Sequence, residues 1–161
     1  MATKTPRSPA LERLLSYRLH LLNKLTDRHS AAVYAQEFAL PIGEARCLAA
    51  IGNAQDHLLG AGAGRAAPVS VSELAGWANL NKAQASRAAQ ALVLRGLVLK
   101  AAHATDARSV GLTLTRQGRS LWGRIMALIE QRNSEIFGCL SSAEQQRLGA
   151  MLDRLISHAR D

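Results

Sequence analysis

The chain has 161 residues, 48% of them apolar, with 20 basic against 12 acidic residues and a pI near 10.5. That length suits a single compact domain or one subunit of a small dimer, and a net charge of +8 suits a polyanionic partner. The composition argues against several classes. Its two cysteines, Cys47 and Cys139, cannot form a disulfide framework and belong to no zinc-type cluster, and no apolar run is long enough to span a bilayer. A cytoplasmic protein without metal, cofactor or membrane contact is expected.

Residues 1–9, MATKTPRSP, are polar, basic and proline-punctuated, and read as a flexible lead-in to one domain spanning 10–161. From Ala10 to about Tyr34, Leu11, Leu14, Leu15, Leu22 and Leu25 recur at helical spacing. Leu19 and Leu21 widen that stripe, as expected of a helix facing both its own core and a partner subunit. Leu40 to Ile51 reads as a second helix with Pro41 near its start. Gly52 to Pro68 holds four glycines and reads as a flexible loop, with a helical turn at Asp56 to Leu59. Its GAGAG run lacks the strand, helix and Lys-Ser/Thr of a phosphate loop, so no nucleotide site is expected there.

Ser70 to Leu97 reads as two short helices around a tight turn. Ser70 and Glu73 have capping-box spacing, as do Asn81 and Gln84. Asn79 suits the turn, and Gly96 suits the end of the second helix. Leu74, Ala75, Ala78, Leu80, Ala85, Ala88, Ala89, Leu92 and Val93 can make a shared core whose alanines permit close approach. Lys82, Gln84, Ser86, Arg87 and Gln90 are left on the other face, and such side chains hydrogen-bond bases and phosphates. Taken alone, this stretch fits a helix-turn-helix and an ordinary helical hairpin equally well.

Two strands, Leu97–Ala101 and Val110–Leu114, flank the polar loop AHATDARS and complete the order of a winged helix-turn-helix. In that loop Asp106 can orient Arg108 toward a minor groove or phosphate. Thr115 caps a long helix to about Gly138, with Leu121, Trp122, Ile125, Met126, Leu128, Ile129 and Ile136 on its apolar face. Ser141 and Glu144 open a last helix, Ser142 to about Ala159, with Leu148, Met151, Leu152, Leu155 and Ile156 expected inward. So apolar a terminal pair needs cover, either by a second subunit, the favoured reading, or by closing a monomeric core. The fold class is therefore mainly α with a small β-hairpin wing at 70–115, and dimerisation helices at 10–34 and 116–160.

The run from Asn81 to Trp122 resembles the MarR family of bacterial transcriptional regulators. It carries the Ser86-Arg87 pair, the ALxxRGLV run from Ala91 to Val98, the Asp106–Arg108 wing tip, and LTxxG from Leu114 to Gly118. The order of elements matches from about Leu11 to Ser157, but the Gly52–Pro68 segment is longer than is usual in the family. The resemblance implies a homodimer on a pseudo-palindromic operator in double-stranded DNA, usually a repressor, released by a small ligand or an oxidant. Lys82, Gln84, Ser86, Arg87 and Gln90 would read the major groove and Arg108 the flank, with Asp106 positioning Arg108. Asn81 would chiefly cap its helix and could also meet phosphate. The resemblance also places an effector pocket between the dimer helices and the DNA module, near Tyr17, Arg18, His20, Asn23 and Arg46. An arginine and a histidine there suit a carboxylate such as an aromatic acid or its thioester.

Two other readings remain beside the ligand-responsive regulator: a thiol-based redox sensor, and a winged-helix module binding protein or RNA. Redox sensing is disfavoured at Cys47, which sits mid-helix on an apolar stretch where burial raises a thiol pKa. An enzyme lacks support, since the sequence shows no nucleophile elbow, metal cluster or dinucleotide fingerprint, and its five histidines are scattered.

Overall fold

A computed structural model describes residues 10–60, 68–102 and 110–160. A single 3-10 turn, Leu11–Arg13, precedes α1, Leu15–Phe38. This helix begins and ends about four residues later than its leucine pattern suggests. It starts late because Leu14 is extended (φ −71°, ψ 130°), and it ends where Ala39 turns left-handed (φ 50°). The reversal at Ala39 drives Leu40 into the core at 2% exposure, immediately before Pro41, where helix is disfavoured.

The second helix, α2, runs Ile42–Gly60, so the expected break at Gly52 does not occur. Gly52 lies inside the helix, against the indole of Trp122, at a point where a Cβ would collide with the ring. It serves close helix packing rather than chain reversal. The GAGAG part of the expected loop lies outside the described residues. Helix α2 is the centre of the fold. It contributes Ala45, Cys47, Leu48, Ala49 and Ile51 to the core, and it packs against α1, α3, α4, α5 and β3.

A two-residue strand that periodicity could not reveal, β1 (Val69–Ser70), leads into α3, Val71–Trp77. Helix α4, Lys82–Leu94, is followed by β2, Val98–Ala102, and β3, Val110–Leu114. The sheet is antiparallel in the order β1-β3-β2, with Val98 opposite Leu114 and Val69 opposite Leu112. Beyond the short β1, the side chain of Gln55 on α2 takes the place of a strand. Its buried carboxamide oxygen accepts the Leu114 N–H at 3.3 Å.

Helix α5, Arg116–Phe137, starts at a cap made by Thr115, whose hydroxyl accepts the Gly118 N–H at 2.9 Å and donates to the Gly96 carbonyl at 2.8 Å. Gly118 itself lies on the Leu97 carbonyl, leaving no room for a Cβ. These contacts fix the base of the wing to the start of α5. Helix α6, Ser142–His158, departs from expectation in one respect: none of its residues is buried. Met151, Leu155 and Ile156 are each about half exposed, because among the described residues no element covers this face.

Candidate nucleic-acid interface and adjoining clefts

The α3–α4 unit is rigid at both helix starts. The Ser70 hydroxyl accepts the Glu73 N–H at 3.2 Å, and the Glu73 carboxylate accepts the Ser70 N–H at 2.8 Å. At α4 the Asn81 carboxamide accepts the Gln84 N–H at 2.9 Å, and Gln84 Oε1 accepts the Asn81 N–H at 3.1 Å. Such caps each hold ~0.5–2 kcal/mol of helix stability. Between the helices Asn79 adopts φ 52°, a left-handed conformation that Asn accepts more readily than most side chains. Gly96, at φ 70°, ends the second helix as expected.

One face of α4 is buried through Ala85, Ala89 and Leu92, with Leu74, Ala75 and Ala78 of α3 opposite. The small residues let α4 lie close, so its axis is set by backbone-to-backbone proximity rather than by long side chains. The opposite face carries Lys82, Gln84, Ser86, Arg87 and Gln90, all exposed, beside exposed Asn81. Gln84 differs from the other four because its carboxamide oxygen is held by the cap and only the NH₂ end can act as a donor to a ligand. Asp106 and Arg108 lie outside the described residues. Lys100 on β2 is exposed next to the wing and adds a cation that the motif reading passed over.

The five residues expected at an effector pocket are not brought together. Asn23 and Arg46 share a cleft of about 400 Å³ with Asn53, Trp77, Asn79 and Met126, between α1, α2, the α3–α4 turn and α5. Arg46 also forms an ion pair with Asp27 across the α1–α2 contact. Tyr17, Arg18 and His20 lie three to six residues before Asn23 on α1 and line none of the described clefts. Arg18 donates to the Glu12 carbonyl at 2.9 Å instead. Trp77, 53% exposed, is the aromatic wall of this cleft and went unnoticed in the sequence. Its signal was available, since a lone Trp on an otherwise small, polar helix hairpin is hard to place in a core made of alanines.

Cys47 is fully buried, and burial, with a smaller contribution from the Glu44 carboxylate, pushes its thiol up to about 11. A thiol so placed is a poor nucleophile at neutral pH. Cys139 is exposed in the α5–α6 turn. Among the described residues no group of His, Cys, Asp or Glu is placed to hold a metal ion, and no helix is long and apolar enough to cross a membrane.

No protein-family model and no curated protein sequence matches the chain. Solved structures do. A MarR/EmrR family transcriptional regulator from Acinetobacter sp. ADP1 superposes with a TM-score of 0.76 at 20% identity, covering 94% of this chain and 99% of its own. The S. aureus MepR–DNA complex gives 0.74 at 16% identity, covering 91% and 98%. A Mycobacterium tuberculosis MarR family protein in complex with salicylic acid gives 0.62 at 23% identity, covering 93% and 98%. The chain therefore has the winged-helix fold of MarR-type regulators over nearly its whole length, the N- and C-terminal helices included.

Proposed function

We propose that this protein is a transcriptional regulator rather than an enzyme. It binds double-stranded DNA as a homodimer and releases it in response to a small acidic ligand. The observation that carries the reading is the exposed polar face of α4. Lys82, Ser86, Arg87 and Gln90 project from a helix whose start is capped and whose back is packed on alanine, which is what a major-groove reader needs. The basic character of the Ser70–Thr115 segment, five basic against two acidic residues, adds attraction for phosphate. A structural neighbour is a DNA complex, which supports the same direction.

Dimerisation is inferred from the uncovered leucines. Leu11 and Leu15 near the N-terminus are 59% and 73% exposed. Leu15 joins Met151 and Leu155 of α6 along a groove of about 720 Å³, so the two bare faces are continuous. A contiguous apolar surface of this kind marks an interface.

The effector is assigned to the cleft at Arg46 and Trp77, with a guanidinium for a carboxylate and an indole for an aromatic body. The cleft touches both α1 and the α3–α4 turn, so a ligand there acts on the joint between dimer arm and reading head. A structural neighbour bound to salicylic acid supports an acidic aromatic ligand. The ligand reading is preferred to redox sensing because Cys47 is buried and protonated. Repression, rather than activation, follows from the family resemblance and enters as part of the proposal.

Fluorescence anisotropy with the DNA upstream of the protein's own gene tests the assignment. Specific binding that weakens by ~1–3 kcal/mol in Arg87→Ala, with relaxed sequence preference, is the expected result. Absence of specific binding by the parent protein would transfer the fold to the protein-interaction reading, and binding unaltered by both Arg87→Ala and Arg108→Ala would remove the α4 face and the wing from the interface.

A further inference from the structure

A second cleft of about 210 Å³ lies between α1 and α5, lined by Thr26, Ser30, Tyr34, Arg132 and Asn133. Ile129 lines both this cleft and the one at Arg46, so the two adjoin across a single side chain. On α1, Asn23, Thr26, Ser30 and Tyr34 follow one another at steps of three and four. They form a polar stripe that runs from the first cleft into the second.

Arg132 is held in place. Its side chain is 11% exposed, and its Nε donates to the Ser30 hydroxyl at 3.2 Å. Its Nη1 stands 3.5 Å from Glu135, a carboxylate that is 51% exposed and also accepts from Gln131 at 2.9 Å. An ion pair of that length to a half-exposed partner neutralises weakly. Tyr34, buried at 6% exposure, senses both guanidiniums: burial raises its pKa, while Arg46 and Arg132 each pull it down. Tyr34 and Arg132 share the second cleft, and Arg46 lines the first. The partners of Arg46 and Arg132 on α1, Asp27 and Ser30, are three residues apart, ~4.5 Å along the helix axis.

We propose that the cleft at Arg132 is a second anion subsite and that the ligand is a two-headed acid. One carboxylate lies on Arg46, the other on Arg132, and an apolar spacer crosses Ile129. This rests on the effector reading of the Arg46 cleft and names its ligand class. The first carboxylate takes the position of Asp27 on Arg46; that pair is partly exposed on both sides and is exchanged at little cost. The second meets a guanidinium already oriented by Ser30, with the Thr26 and Ser30 hydroxyls and the Asn133 carboxamide along the wall.

Calorimetric titration of the full chain with benzoate, terephthalate, phenylacetate and 1,4-phenylenediacetate tests the subsite. At least one dicarboxylate is expected to bind tenfold or more tightly than its monocarboxylate partner, beyond the twofold statistical factor. Arg132→Gln should erase that advantage and leave the monocarboxylate affinity unchanged. If that variant does not fold, Asn133→Asp carries the test, since it keeps Arg132 but repels the second carboxylate. Monocarboxylate binding with no dicarboxylate advantage, or an advantage that survives a folded Arg132→Gln, overturns the subsite and leaves the effector reading intact. Absence of binding by all four acids at millimolar concentration overturns both.

Discussion

Gly52 of α2 faces the indole of Trp122 on α5, at a separation that only a residue without Cβ permits. The pair locks the central helix to the first long C-terminal helix. Gly52→Ala should therefore push the indole or part the helices, and overpacking of this kind costs ~1–3 kcal/mol. For a domain of this size that lowers Tm by roughly 2–4 °C per kcal/mol. Gly43, also in α2, has open space around its missing Cβ, so Gly43→Ala should be neutral or stabilise by up to ~1 kcal/mol. Thermal melts of the two variants check this; equal melting temperatures would sink the packing argument.

The same pair shows where sequence reading stopped. The capping boxes at Ser70–Glu73 and Asn81–Gln84 were legible because they are local: three residues decide them. Asn79 and Gly96 were legible because a positive φ restricts residue type. Gly52 was not, because its reason sits 70 positions away in Trp122. The true end of α2 and the strand β1 were lost with it. The outward face of α4 could be assigned from spacing alone, whereas the cleft could not. Asn23 and Arg46 meet there only because α1 and α2 reverse at Ala39, while Tyr17, Arg18 and His20 line none of the described clefts. The face of α6 expected inward is half exposed, because periodicity identifies an apolar face but not what covers it.

Gln84 separates capping from base reading. Its carboxamide oxygen holds the start of α4, and Glu in that position keeps the reciprocal bond. Gln84→Glu should leave Tm within about 0.5 kcal/mol of the parent in stability terms. Loss of the NH₂ donor and the added negative charge should weaken DNA binding and relax sequence preference. Melting and anisotropy on the same sample are sufficient, and a stability loss equal to that of Asn81→Ala would refute the split.

Salt dependence distinguishes the roles of the α4 cations. A plot of log affinity against log salt should be steep for the parent, and Lys82→Ala should lower the slope by about 1 if Lys82 contacts phosphate. Lys100→Ala should act likewise if the exposed β2 lysine lies along the duplex backbone. A slope unchanged in both variants would remove these lysines from the interface.

Thiol chemistry should divide the two cysteines. With its pKa raised to about 11, Cys47 carries thiolate in only roughly one molecule in a thousand at pH 8, and its burial denies access to reagents. Because burial raises this pKa above its unfolded value, ionisation of Cys47 opposes folding as pH climbs. The protein should lose stability above pH ~9, and Cys47→Ser or Cys47→Ala should flatten that loss. A native-state titration with a chromogenic disulfide should find one fast thiol, Cys139, and a second only after denaturation. Two fast thiols would return redox sensing to consideration.

The uncovered face of α6 yields the most direct test of assembly. Met151, Leu155 and Ile156 expose about half of their surface, and Leu15 continues the patch from α1. In a monomer a charge on this face is solvated and almost neutral, since none of the described elements packs over it. In a dimer the same charge is buried against its symmetry mate, without a partner, and an uncompensated buried charge costs ~3–5 kcal/mol. Two copies meet at a twofold axis, so the penalty is doubled. Leu155→Glu should therefore abolish the dimer in sedimentation at micromolar concentration, while the helical content of the α2-centred core survives. DNA affinity should fall far more than stability of that core, because one reading head without its mate loses the second half-site. A parent protein that sediments as a monomer, or a Leu155→Glu variant that remains dimeric and binds DNA normally, would leave these leucines without the role assigned to them.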